Sequence, residues 1–163
     1  MSEEIIIDKT RSDKEVYESL LPQVEALMSE DDHYLSNLSN FTAILKGAFD
    51  KISWVGFYLF DGKELYLGPF QGKLACTKIK IGTGVCGTSA EKRETIVVED
   101  VHKFPGHIAC DSGSNSEIVL PLVKFDKLIG VLDLDSYGFS SFNNIDKEHL
   151  EKLVAILIRK SHF

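Results

Sequence analysis

Glu117-Ile118-Val119-Leu120-Pro121-Leu122-Val123-Lys124-Phe125-Asp126-Lys127-Leu128-Ile129-Gly130-Val131-Leu132-Asp133-Leu134-Asp135 reads as two strands joined by a tight turn. The runs Ile118 to Phe125 and Leu128 to Leu134 are rich in branched aliphatic residues, and Asp126-Lys127 between them supplies the turn. Alternate residues of a strand point to opposite faces. In the first run Ile118, Leu120 and Leu122 share one face, and Glu117, Val119 and Pro121 share the other. In the second, Leu128, Leu132 and Leu134 oppose Val131, Asp133 and Asp135. One face is therefore a core face and the other carries acids. Asp is depleted in strands, so two of them at i and i+2 beside Leu132 and Leu134 call for a reason.

The middle of the chain repeats the pattern. Ile52 to Phe60 is β-branched and aromatic, Asp61-Gly62 supplies a hairpin turn, and Glu64 to Phe70 returns. Val55, Phe57 and Leu59 face one way; Trp54, Gly56 and Tyr58 face the other. Lys78 to Ile81 and Thr95 to Val98 are shorter strands, with a short helix from Cys86 to Lys92 between them. Both ends read helical. Ser12-Asp13-Lys14-Glu15 is a capping box ahead of Val16, Leu20, Val24 and Leu27 at helical spacing. Pro22 removes a donor in that run, so a kink or a restart is expected there. A second helix runs from about Tyr34 to Phe49. A last one, capped by Asn143 or Asn144, turns Leu150, Leu153, Val154 and Leu157 inward.

This order predicts one α+β domain spanning 1–163, with an antiparallel sheet. The N- and C-terminal helices pack on one face, and a ligand pocket lies under loops on the other. Giving the aliphatic faces to the helices gathers Trp54, Tyr58, Glu117, Asp133 and Asp135 on the opposite surface. Taken singly, each reads as an ordinary residue of a partly solvated sheet. As a set, two aromatics and three acids suit a small ligand with a cationic end and an apolar end.

Composition removes several classes of function. The net charge is -7, and no Lys/Arg run stands out. That argues against binding to nucleic acid or to an anionic membrane. No segment has the length and apolarity of a membrane span, and Met1-Ser2-Glu3-Glu4 is acidic where a signal peptide is basic. The expected location is cytoplasmic. The three cysteines, Cys76, Cys86 and Cys110, form no secretory disulfide framework. On number alone they read as buried small hydrophobes.

Gly82-Thr83-Gly84-Val85-Cys86-Gly87 matches G-x-G-x-x-G, but a dinucleotide site needs a βαβ unit and a parallel sheet. The glycines are better read as a tight turn whose N–H groups suit an anion such as a carboxylate. The cysteines lack the close pairing of a zinc site, and only His102 and His107 lie near Cys110, so no metal is expected. Those histidines read as loop residues, one of them a candidate for lowering the pKa of a thiol. The stretch Phe104-Pro105-Gly106-His107-Ile108-Ala109-Cys110-Asp111-Ser112-Gly113-Ser114-Asn115-Ser116-Glu117 joins a long, turn-rich loop to the acid-bearing strand. A cysteine in such a loop is accessible in a way that a core cysteine is not.

Together these segments resemble the free methionine-R-sulfoxide reductases, enzymes built on a GAF-type domain. The resemblance runs from the first helix to the last. It rests on Trp54-Val55-Gly56-Phe57-Tyr58, Leu67-Gly68-Pro69-Phe70-Gln71-Gly72-Lys73 and Gly84-Val85-Cys86-Gly87. It continues through Glu99-Asp100-Val101-His102, Gly106-His107-Ile108-Ala109-Cys110-Asp111, Ser114-Asn115-Ser116-Glu117-Ile118-Val119 and Gly130-Val131-Leu132-Asp133-Leu134-Asp135-Ser136.

The resemblance implies that Cys110 is the nucleophile, Cys76 the principal resolving cysteine and Cys86 a third cysteine able to join disulfide exchange. It implies that Glu117, Asp133 and Asp135 hold and polarise the substrate, and that Trp54 and Tyr58 line the pocket near the sulfoxide methyl. Glu117 or Asp135 is the candidate acid. The implied reaction converts free L-methionine-(R)-sulfoxide to methionine through a sulfenic acid and an intramolecular disulfide. Thioredoxin is the implied reductant, a homodimer the implied assembly, and no cofactor is called for. Two other readings of such a domain are a cyclic-nucleotide or other small-molecule binding module and a redox sensor without catalysis. The first regulates an attached domain, whereas here the domain is expected to take up the whole chain.

Overall fold

The computed structural model describes residues 4–163; Met1 to Glu3, part of the acidic N-terminus, lie outside the described residues. Helices α1 (Asp13–Leu27) and α2 (Tyr34–Ala48) lead into strands β1 (Trp54–Phe60), β2 (Glu64–Gln71) and β3 (Lys78–Lys80). A short helix α3 (Gly84–Lys92), strand β4 (Ile96–Val98) and a 3-10 turn at Val101–Lys103 follow. Strands β5 (Ser116–Lys124) and β6 (Lys127–Ser136) and helix α4 (Asn144–Arg159) complete the chain. The strands form one antiparallel sheet in the order β3-β2-β1-β6-β5-β4. Among the described residues no helix is long and apolar enough to cross a membrane.

Local chemistry explains the helix ends. Ser12 and Glu15 form the expected capping box on α1. Asn143, rather than Asn144, caps α4, again with a reciprocal box through Asp146. At Pro22 the expectation of a restart fails, because α1 runs through it unbroken. The Gln23 amide beside it ties the N-terminal segment to the helix. Its Nε2 donates to the Ser19 carbonyl and to the Ile6 carbonyl, and its Oε1 accepts from the Ile6 N–H. Buried Leu20 and Val24 hold the helix to the core on either side of the proline.

Two cores sandwich the sheet. Helices α1, α2 and α4 cover one face, where Val55, Phe57, Leu59, Ile118, Leu120, Leu122, Leu132 and Leu134 are buried. Helix α3 and the loops cover the other face, over Trp54, Tyr58, Val119 and Val131.

Leu128 departs from the alternation and packs on the α3 side. The cause is a β-bulge. Leu122 pairs with Gly130 and Val123 with Leu128, which leaves Ile129 as an extra residue and flips the strand's parity before it. The hairpin loop also lies one residue earlier than the sequence suggests. Lys124 pairs with Lys127, so the two turn residues are Phe125 (φ 50°) and Asp126 (φ 60°). Both are left-handed, as a type I′ hairpin requires.

Asp146 joins the helical layer to the start of the sheet. Its carboxylate is 1% exposed; it accepts from the buried Tyr17 hydroxyl at 2.9 Å and from Lys51 Nζ at 2.6 Å. Asp146→Ala leaves a buried hydroxyl and a lysine without their shared acceptor and removes half of the α4 cap. The expected loss is about 2–4 kcal/mol of unfolding free energy, read by urea titration.

Candidate active site

Strand register builds the floor of a pocket on the α3 face. Asp135 pairs with Trp54 on one side and with Glu117 on the other, so these three side chains form one cross-strand row. In the next row Asp133 lies between Gly56 and Val119, and beyond it Tyr58 lies opposite Val131. Gly56 is required for this packing. A Cβ there would collide with the Trp54 ring and with Phe70, which stacks on that ring. The five residues gathered by alternation are thus brought together, and all five line one pocket.

The walls come from two loops and a helix end. The loop after β2 carries Leu74, Ala75 and Cys76; the tryptophan and tyrosine of β1 hold it in place. Trp54 Nε1 donates to the Lys73 carbonyl and the Tyr58 hydroxyl donates to the Cys76 carbonyl, each at 3.0 Å. The loop before β5 carries His107, Ile108, Cys110, Asp111 and Ser114. Its end is pinned by Asn115, whose N–H bonds to Ser136 and whose side chain bonds to the Tyr137 carbonyl. Asp111 accepts from the Gly113 N–H and from the Tyr137 hydroxyl, and Lys73 Nζ lies 3.8 Å from it. That cluster ties the two cysteine loops together across the mouth.

Cys76 and Cys110 are joined as a disulfide, with Cα atoms 5.5 Å apart. Cys110 is exposed on its loop and Cys76 is partly buried. Cys86 is a free thiol, buried on α3, and its Sγ lies 3.9 Å from Glu117 Oε1. Gly87 lets α3 sit close, since a Cβ there would meet the Lys80 carbonyl oxygen. The helix begins at Thr83, which caps it with no side-chain bond, and Thr83, Gly84 and Val85 all line the pocket. The surrounding sheet is antiparallel, so the glycine motif opens no dinucleotide site.

Burial dominates the electrostatics. Glu117 and Asp135 are pushed well above the ordinary carboxylate range, first by burial and then by the charge of Asp133 in the next row. Asp133 is raised by burial to about 6, with the Cys86 thiol and the Glu117 carboxyl holding it lower than burial alone would. Its Oδ1 is buried without a hydrogen-bond partner, as is Ser114 Oγ. Burial and the neighbouring acids likewise push the Cys86 thiol up, so it sits as a neutral SH.

His107 Nε2 lies 3.7 Å from Glu117 Oε2, and burial and then His102 lower its pKa. His102 faces Asn115 Oδ1 at 3.0 Å. Asp111, Ser114, Leu74 and Ile108 also line the pocket. Asp111, Ser114 and Ile108 lie within the loop singled out around Cys110, but nothing in composition marks their direction, and Leu74 carries no signal at all.

The raised acids set a pH dependence. A carboxyl whose native pKa exceeds its unfolded value binds its proton more tightly when folded, so its contribution to stability falls as pH rises from about 4 through the native value. Asp133→Asn removes that loss. At pH 7 the variant is expected to be more stable than wild type by about 1–3 kcal/mol, and the difference disappears below about pH 4. Urea unfolding across that range reads it, and a difference independent of pH contradicts it.

Comparison with known proteins agrees with this geometry. Residues 37–159 match the family model of the GAF domain. The chain is 51% identical over 158 residues to GAF domain-containing protein A of Dictyostelium discoideum, covering 96% of this chain and 99% of that protein. It is 49% identical over 143 residues to the free methionine-R-sulfoxide reductase of Escherichia coli, covering 88% and 87%. A crystal structure of the free methionine-R-sulfoxide reductase from Neisseria meningitidis in complex with its substrate superposes with a TM-score of 0.90 at 45% identity. It covers 96% of this chain and 95% of that one. With identity at this level over nearly its whole length, the chain belongs to the free methionine-R-sulfoxide reductases, on a GAF fold.

Proposed function

We propose that this chain reduces free L-methionine-(R)-sulfoxide to L-methionine, with Cys110 as nucleophile and Cys76 as resolving thiol. The observation that carries the reading is the Cys76–Cys110 disulfide at the mouth of a pocket floored by Glu117, Asp133 and Asp135 and walled by Trp54 and Tyr58. In the reduced protein the Cys110 thiolate attacks the sulfoxide sulfur. A protonated carboxyl gives its proton to the sulfoxide oxygen, and Glu117 and Asp135, both raised well above the ordinary carboxylate range by burial, are the candidates. The oxygen then moves from the substrate sulfur to Cys110 Sγ as the new sulfur–sulfur bond breaks, so methionine leaves and Cys110 is left as a sulfenic acid. The Cys76 thiol displaces it, releasing water and forming the disulfide. Two electrons have then passed from two thiols to one sulfoxide. An external dithiol, proposed to be thioredoxin, restores the thiols by exchange.

The acids also provide selectivity. Asp133, whose Oδ1 has no hydrogen-bond partner, receives the α-ammonium, which a peptide-bound methionine lacks. The first-turn N–H groups of α3 suit the substrate carboxylate. Cys86, a neutral thiol at the floor, donates toward Glu117, and its place in disulfide exchange is part of the same proposal. A cyclic nucleotide fits this pocket poorly, because its phosphate would meet three acids with no lysine or arginine in the lining. The domain is taken to act as one unit over 1–163, in the cytoplasm and as a homodimer, for which Ile145, 41% exposed on α4, offers apolar surface.

In a single turnover the protein is expected to yield one methionine and lose two thiols, with the R epimer and not the S epimer, and with free but not peptide-bound substrate. Cys110→Ser abolishes this, at least about a thousandfold. Cys76→Ser retains the first methionine and loses multiple turnover. A peroxide-driven disulfide that forms as fast as the sulfoxide-driven one favours a sensor instead.

A further inference from the structure

We propose that the floor of this pocket is also a metal site, in which Cys86 Sγ, one Glu117 oxygen and one Asp133 oxygen hold a thiophilic divalent cation of the zinc class. These three atoms already lie within 4.8 Å of one another, and all three residues are buried. A tetrahedral zinc ion with one sulfur and two oxygen ligands needs them about 3.5 Å apart, a change within reach of small side-chain rotations. His107 Nε2 lies 3.7 Å from Glu117 Oε2, beside the set rather than within it.

A second observation points to a cation independently of the cluster. Asp133 is 6% exposed, its Oδ1 has no hydrogen-bond partner, and it lines the cavity. No lysine or arginine lines that cavity to balance it. An ammonium would meet the same need, but an ammonium makes no use of a sulfur donor, and the buried thiol of Cys86 sits among the carboxylates. The cysteine pairing by which zinc was set aside in the sequence cannot find such a set, because its members come from α3, β5 and β6. Where the pocket binds the amino acid as proposed above, metal and ammonium share Asp133, so zinc inhibits by competing with substrate.

The test titrates the disulfide form of the whole chain with Co²⁺. With Cys76 and Cys110 tied to each other, Cys86 is the thiol left to bind. The expected result is one Co²⁺ per chain with a thiolate-to-cobalt charge-transfer band, both displaced by Zn²⁺. Cys86→Ser loses the band, and Asp133→Asn weakens binding on the order of tenfold or more. No band in wild type, or a band that survives Cys86→Ser, overturns the site. Should Cys86→Ser fail to fold, unchanged Co²⁺ affinity in Asp133→Asn overturns it instead. Free L-methionine is expected to raise the Co²⁺ needed. A band indifferent to methionine supports the metal site and counts against placing the ammonium at Asp133.

Discussion

Three carboxyl groups share one buried face of the sheet, and no lysine or arginine among the pocket-lining residues answers them. That burden shapes the site. Burial raises Glu117 and Asp135 well above the ordinary carboxylate range and Asp133 to about 6, a separation that the proposed function uses by giving one group the cation and its neighbours the proton. The same arrangement lowers stability at neutral pH, a cost tolerated where the native state receives a ligand that supplies the missing charge. The aliphatic face beneath, packed under α1, α2 and α4, carries the stability that the acid face lacks.

The floor fixes chemistry only because the two cysteine loops are fixed to it. Trp54 and Tyr58 belong to the wall by their rings, yet their polar ends hold the backbone of Lys73 and Cys76. Aromatic bulk and loop position are therefore set by the same two side chains. On the opposite side Asn115 anchors the start of β5, and Asp111 meets Tyr137 and Lys73 across the mouth. The sulfurs of residues 76 and 110 meet over the acids because each loop is tied to a strand that carries the floor.

Much of this was legible in the sequence because alternation in a strand is a hard rule. Asp133 and Asp135 had to face away from Leu132 and Leu134, whereas their register with Trp54 and Glu117 is set by a non-local strand pairing and a bulged hairpin. Leu128 escaped the rule because a bulge at Ile129 resets parity, and no residue type announces a bulge there. Continuity of α1 through Pro22 goes with the burial of Leu20 and Val24 on either side of it, which is a tertiary fact. The polar contacts of His107 and Asp111 were illegible for a similar reason, since loop side chains have no period from which direction can be read.

The measurement that bears most directly on the acid floor is calorimetric binding to the Cys110→Ser protein. It compares free L-methionine-(R)-sulfoxide with its N-acetyl derivative, which lacks the charged amine. The account predicts that the free amino acid binds on the order of a hundredfold tighter, because acetylation leaves Asp133 buried without a partner. Equal affinity for the two would contradict it.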